Sequence, residues 1–381
     1  MKPDEKDPDG KDPDGKDPDG KDPDGKDPDG KDPDGKDPSG TAAQKEKDLP
    51  TSIDPAQTHL LSQYKHEEPL TTLRCDPTGR FVAAGAVDLD VQLWSLEDGK
   101  RRTLKGHDSW VRSIEFSGDG TRMFTACWGG VVKCWDLAQD EPAVIYSIQA
   151  HQGSARFVRI SPDGNSLVTC GNDLLVKTWN SADGKPKQKF TGHKRHIYGA
   201  EFHPDGQHIV SQDVLGIVKI WNIGSGKDER TIEATMMTGY DKKFAADMGG
   251  SRDLHFRGDG KQWASAGITN LSNGFAGVQD PIIVIFDWET GKPVKQLRAD
   301  NSFKGIAWGV RFHLEGFLVG AGANKNGKGE LWFYKPDEEK AFHTVKLPHA
   351  ARGLDLIGND RLAVPFSDGN VAVYSMTQPE A

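Results

Sequence analysis

Residues 151–179 read HQGSARFVRISPDGNSLVTCGNDLLVKTW. After His151 comes an apolar run, ARFVRI, that stops at Ser-Pro-Asp-Gly, a tight-turn sequence in which Pro presets the backbone and Gly takes the φ > 0 position. A second run, LVTCG, follows, then Asn-Asp, then a third, LVKTW, closing on Trp179. Short β-branched and aromatic runs punctuated by turn residues are strands, not helices. A fourth run, KQKFTGH, leads to the next His.

The pattern recurs. His is followed by Trp 28 positions later at His66–Trp94, His107–Trp135, His151–Trp179 and His193–Trp221. Each pair brackets a turn: CDPTG at 75–79, FSGDG at 116–120, ISPDG at 160–164, FHPDG at 202–206. Three weaker copies follow the turns FRGDG (256–260), FHLEG (312–316) and LIGND (356–360), with Phe286, Tyr334 and Tyr374 in the Trp slot. A fixed period of four short strands, about 42 residues, is the signature of a repeat architecture. The first segment, LLSQYKH, matches a fourth strand without its first three; the last, NVAVYS, is a third strand without its fourth. The two ends are expected to share one unit and close a ring, which removes exposed sheet edges.

The Gly-His pairs (Gly106-His107, Gly192-His193), the Ser-Pro-Asp-Gly turn and the closing Trp135-Asp136 resemble the WD-repeat (WD40) family. The resemblance covers residues 57–381 and implies an all-β, seven-bladed propeller closed by an N-terminal strand. It also implies a hydrogen-bond chain of His, hydroxyl, Asp and Trp that braces a blade. All four residues stand at the family spacing only in the third unit: His151, Thr169, Asp173 and Trp179.

Residues 1–56 are of another kind. From Lys6 the unit KDPDG runs six times and once more as KDPSG, and residues 1–40 carry -7 of the chain's net charge of -9. Such a segment has nothing to bury and is expected to be a disordered acidic tail and linker. The remainder is near neutral, which argues against nucleic acid as a partner. No apolar run approaches the roughly 20 residues of a membrane span. With Met1 as the true start there is no secretory signal, so a cytoplasmic monomer is expected. The four cysteines lack C-x-x-C spacing, so neither a disulfide framework nor a metal site is implied.

Catalytic motifs are missing. GANKNGKG at 322–329 fits part of a phosphate loop, but lacks the final hydroxyl and is followed by a strand; it reads as a flexible loop. No catalytic residue, cofactor or metal ligand is singled out. The expected function is a non-enzymatic scaffold that binds a protein or acidic peptide on the loop-rich face. The alternatives are a hydrolase-like or other enzyme on that face, and a calcium-responsive or attachment protein working through the tail. Long connections at about 233–250, 268–280 and 322–329 fall in one sector of that face. Five residues after each His slot stand Thr71, Arg112, Arg156, Tyr198, Arg252, Trp308 and Arg352, with Trp110 and Trp128 nearby. Arg and aromatic side chains dominate binding surfaces, so these form the candidate partner site.

Overall fold

The computed structural model describes residues 52–274 and 276–379; of the tail and linker expected over 1–56, residues 1–51 lie outside them. The described chain is all β apart from two single-turn 3-10 helices, Pro55–Gln57 and Thr235–Met237. Seven antiparallel sheets of four strands are joined by a further two-stranded hairpin. Each sheet runs in simple order from first strand to fourth. The third blade, for example, is Ala155–Ile160, Ser166–Gly171, Leu175–Asn180 and Pro186–Thr191.

The first strands of successive blades touch one another in turn, and that of the seventh touches that of the first, so they form the inner wall of a closed ring. Closure is made by the N-terminal strand His59–Lys65, which pairs antiparallel with Asn370–Ser375, from His59↔Ser375 to Lys65↔Asn370. Residues ahead of it also belong to the ring: the Asp54 N–H donates to the Met376 carbonyl at 2.8 Å, and Ile53 packs on the sixth and seventh blades.

The Trp slot is a register position. Trp94, Trp135, Trp179 and Trp221 face Val82, Met123, Leu167 and Ile209 across the second-to-third strand ladder. Phe286, Tyr334 and Tyr374 face Trp263, Leu318 and Leu362 in the same way, so the degenerate units hold the expected place. Stability resides between blades. Seven apolar clusters lie at the seven blade interfaces, such as Phe124, Val132 and Cys134 against Val158, Leu167 and Trp179. Neighbouring turns meet closely there: a Cβ added to Gly130 (φ +85°) would lie 2.1 Å from the His151 carbonyl oxygen. All four cysteines are buried and free.

Candidate functional site

The residues picked out by position sit at one mouth of the central channel because of a shared irregularity. In five blades the ladder between first and second strand skips one residue: Thr71, Arg112, Arg156, Tyr198 and Trp308. In the fifth blade Arg252 donates its N–H to the Ala266 carbonyl while Asp253 also opposes Ala266. A β-bulge of this kind re-aims a side chain and resets the alternation of faces by one residue. Positions three apart, which a regular strand would turn to opposite sides, thereby reach the same channel. All seven mouth residues line one pocket together with Arg74, Arg159 and Arg311, each three residues further along its strand.

At the mouth, cations and rings alternate. The guanidinium carbons of Arg112 and Arg156 lie 5.8 and 5.4 Å from the Trp128 ring centre. Arg156 and Arg252 lie 3.8 and 5.0 Å from Tyr198. Arg252 and Arg352 lie 5.5 and 5.2 Å from Trp308. Trp110 stands edge-on to Trp128 at 6.4 Å and is anchored by its indole N–H to the Val87 carbonyl at 3.1 Å. Both indoles are nearly half exposed, at 47% and 45%. Among the described residues, none of these four Arg pairs with a carboxylate; Arg156 donates to the Asn172 amide oxygen at 2.8 Å. Burial, together with Arg252 and Arg156, pushes Arg112 down to about 10, and burial also lowers Arg156 and Arg352. Arg252 Nε and Trp308 Nε1 are buried without a hydrogen-bond partner. Buried donors and clustered positive charge thus lie side by side at the mouth.

Beneath the mouth a ring of ion pairs closes the channel. Arg74 meets Glu115 at 3.1 Å and Asp355 at 3.6 Å. Arg159 meets Glu201 at 3.1 Å, with Glu115 and Asp253 each at 3.5 Å. Arg311 joins Asp253 to Asp355. Burial raises Glu201 to about 7 and Asp253 to about 6, despite the Arg neighbours. Sequence reasoning missed this ring. Its signal was a charged or imidazole side chain three residues after every mouth position: Arg74, Glu115, Arg159, Glu201, His255, Arg311 and Asp355.

The bracing chain of the third blade is present. Trp179 Nε1–H donates to Thr169 Oγ1 (2.9 Å), Thr169 O–H to His151 Nε2 (2.8 Å), and His151 Nδ1–H to Asp173 (2.7 Å). Burial works to raise Asp173, but His151 and Lys177 hold it down to about 2. The fourth blade corrects the sequence reading that only one unit is complete. His193 meets Ser211 at 2.8 Å and Asp213 at 3.1 Å, and Trp221 donates to Ser211 at 2.8 Å. Its Asp stands eight residues before the Trp instead of six. The second blade has no Asp, and His107 Nδ1 is left buried and unpartnered.

The long connections are ordered strands, not open loops. Thr238–Asp241 and Ala246–Gly249 form the extra hairpin, and Gln262–Asn273 and Val278–Asp287 extend the fifth blade. The two hairpins join where the Gly274 N–H donates to Asp241 at 2.8 Å. GANKNGKG, expected to be a flexible loop, makes a tight turn in which Asn324 accepts the N–H groups of Asn326 and Lys328 (2.9 and 3.0 Å). A Cβ on Gly277 would touch Lys325 at 2.7 Å, so the three connections do converge.

A closed ring of seven four-stranded sheets, braced by buried His–hydroxyl–Trp chains, is a β-propeller. Residues 57–95, 99–136, 143–180 and 184–222 match the family described as WD domain, G-beta repeat. The chain belongs to this WD-repeat family, and its last three blades keep the same strand plan beyond the matched residues. Among curated proteins it is similar to the nuclear distribution protein PAC1 of Arthroderma otae, 33% identical over 95 residues, which is 24% of this chain and 21% of that protein. It is also similar to the nuclear distribution protein nudF of Emericella nidulans, 34% identical over 95 residues, again 24% and 21%. The match thus spans about a fifth of the length of these relatives. Among the described residues no helix is long and apolar enough to cross a membrane.

Proposed function

We propose that the propeller is a non-enzymatic interaction scaffold whose channel mouth takes an acidic segment of a partner protein. The observation that carries this is the set of four guanidinium groups, Arg112, Arg156, Arg252 and Arg352, held between aromatic rings with no carboxylate of their own. Guanidinium is suited to carboxylate and phosphate, and a dry aromatic setting strengthens the attraction. The Trp110–Trp128 pair offers an apolar ledge beside the charge. A catalytic reading finds less support, because the channel carboxylates are engaged by Arg74, Arg159 and Arg311 instead of facing the mouth. On this reading the protein works as a cytoplasmic monomer through contact with another protein.

The test uses the full chain as bait in native lysate beside a variant carrying Trp110→Ala, Arg112→Ala and Arg252→Ala, both checked for folding. A partner held by the first and lost by the second, and competed by an acidic peptide in a salt-dependent way, is the expected result. Equal capture by both baits would remove the mouth as the site.

A further inference from the structure

On the face opposite the mouth, the fourth blade's FHPDG turn carries a cluster that bracing alone does not explain. His203 Nε2–H donates to the Gly260 carbonyl of the next blade at 2.9 Å, and its Nδ1 accepts the Asp205 backbone N–H at 3.1 Å. The ring is clamped flat on Trp288, with centres 3.9 Å apart. The sixth-blade turn repeats this device: His313 Nε2–H donates to the Asn359 carbonyl at 2.7 Å and its Nδ1 accepts the Glu315 N–H at 3.1 Å. That much is structural.

The fourth blade adds two groups. Asp205 Oδ2 lies 3.0 Å from His203 Nδ1, the nitrogen that holds a lone pair once Nε2 carries the proton. That lone pair is held by the Asp205 N–H, so Oδ2 stands against a nitrogen that is itself an acceptor, and a metal ion between the two would take the lone pair in place of the N–H. The same Oδ2 is 2.7 Å from His208 Nδ1, while His208 Nε2 lies 3.2 Å from Glu229. Nδ1 of His203, a carboxylate oxygen of Asp205 and a ring nitrogen of His208 fall within 4.8 Å of one another. In each imidazole the other nitrogen is turned to a carbonyl or carboxylate, which is how metal-ligating histidines are oriented.

We propose that His203, Asp205 and His208 bind one divalent transition-metal ion, with Glu229 as a positioning residue on His208. Two imidazole nitrogens and one carboxylate suit zinc and its neighbours, not calcium or magnesium, which prefer all-oxygen sets. Asp205 is exposed, so solvent reaches the site and can fill the remaining coordination positions.

The experiment is calorimetric titration of the EDTA-treated full chain with zinc chloride, repeated for His208→Gln, Asp205→Asn, Glu229→Gln and the control His349→Gln, whose ring meets Asp368 at 3.1 Å away from the cluster. The expected result is one equivalent bound by the parent chain and by His349→Gln, loss in His208→Gln and Asp205→Asn, and roughly 10–100-fold weaker binding in Glu229→Gln. Zinc should raise the melting midpoint of the parent chain and leave that of His208→Gln unmoved, which separates ligation from misfolding. No uptake by the parent chain, or uptake unchanged in His208→Gln and Asp205→Asn, overturns the site.

Discussion

Replacing Glu201 by Gln should flatten the pH dependence of stability above pH 5. The channel ring holds three guanidinium groups, Arg74, Arg159 and Arg311, against four carboxylates, Glu115, Glu201, Asp253 and Asp355. One negative charge is unmatched, which favours a proton on one carboxyl of the ring. Glu201, raised from 4.5 to about 7 chiefly by burial, is the carboxyl that holds it best. A folded-state value above the unfolded one means that protonation stabilises the fold. The contribution is fully present below about pH 4.5 and is lost as pH rises through about 7. One proton over that window, at about 1.4 kcal/mol per pH unit, sets an upper size of about 3 kcal/mol. Glutamine keeps the shape and is always neutral, so the variant should lose Glu201's share of the dependence and keep that of Asp253, which burial raises to about 6. Urea denaturation of both chains between about pH 5 and about pH 8 reads the difference from the midpoints. Parallel curves for the two proteins would refute the shared-proton ring.

Other outcomes follow from the same geometry. Thr169→Val removes the oxygen between His151 and Trp179, leaving two buried nitrogens unpaired; a loss of roughly 1–3 kcal/mol for each unsatisfied group is expected in denaturant titrations. Deleting residues 52–65 strips the strand that covers Asn370–Ser375. The exposed edge should pair with other chains, and light scattering should show oligomers in place of a uniform species. Arg112→Ala with Arg252→Ala should leave the melting midpoint close to that of the parent chain, since neither side chain has an ion-pair partner to lose. The same change should abolish salt-dependent binding of acidic peptides, as measured by fluorescence anisotropy.

The repeat was legible because its determinants are local. Turns such as Ser161–Gly164 and the aromatic slot that closes each third strand are set by residues adjacent in sequence, so even Phe286, Tyr334 and Tyr374 could be placed. The seven mouth residues were legible by position alone. What escaped depends on contacts between blades. The ion-pair ring joins residues as far apart in sequence as Arg74 and Asp355, and no single repeat reveals that its charge will be balanced in another blade. Asp213 escaped for a different reason: it reaches His193 from a position two residues earlier than the family spacing, while its other oxygen accepts the Leu215 and Ile217 N–H groups at 3.0 and 3.1 Å. The His203 cluster was read as a turn, which it also is.

The bulges at the head of the inner strands give the propeller a kind of free lettering. Thr71, Arg112, Arg156, Tyr198 and Trp308 are each skipped by the ladder that fixes register, so the register does not depend on which side chain stands there. A change there alters what the mouth displays while the ladder holds, and at Thr71 it also removes a bond to the next blade, at the Val111 carbonyl (2.7 Å). Seven blades thus spell a word one letter each on a frame that stays the same, and a new specificity could be written by rewriting letters while leaving the grammar of the fold untouched.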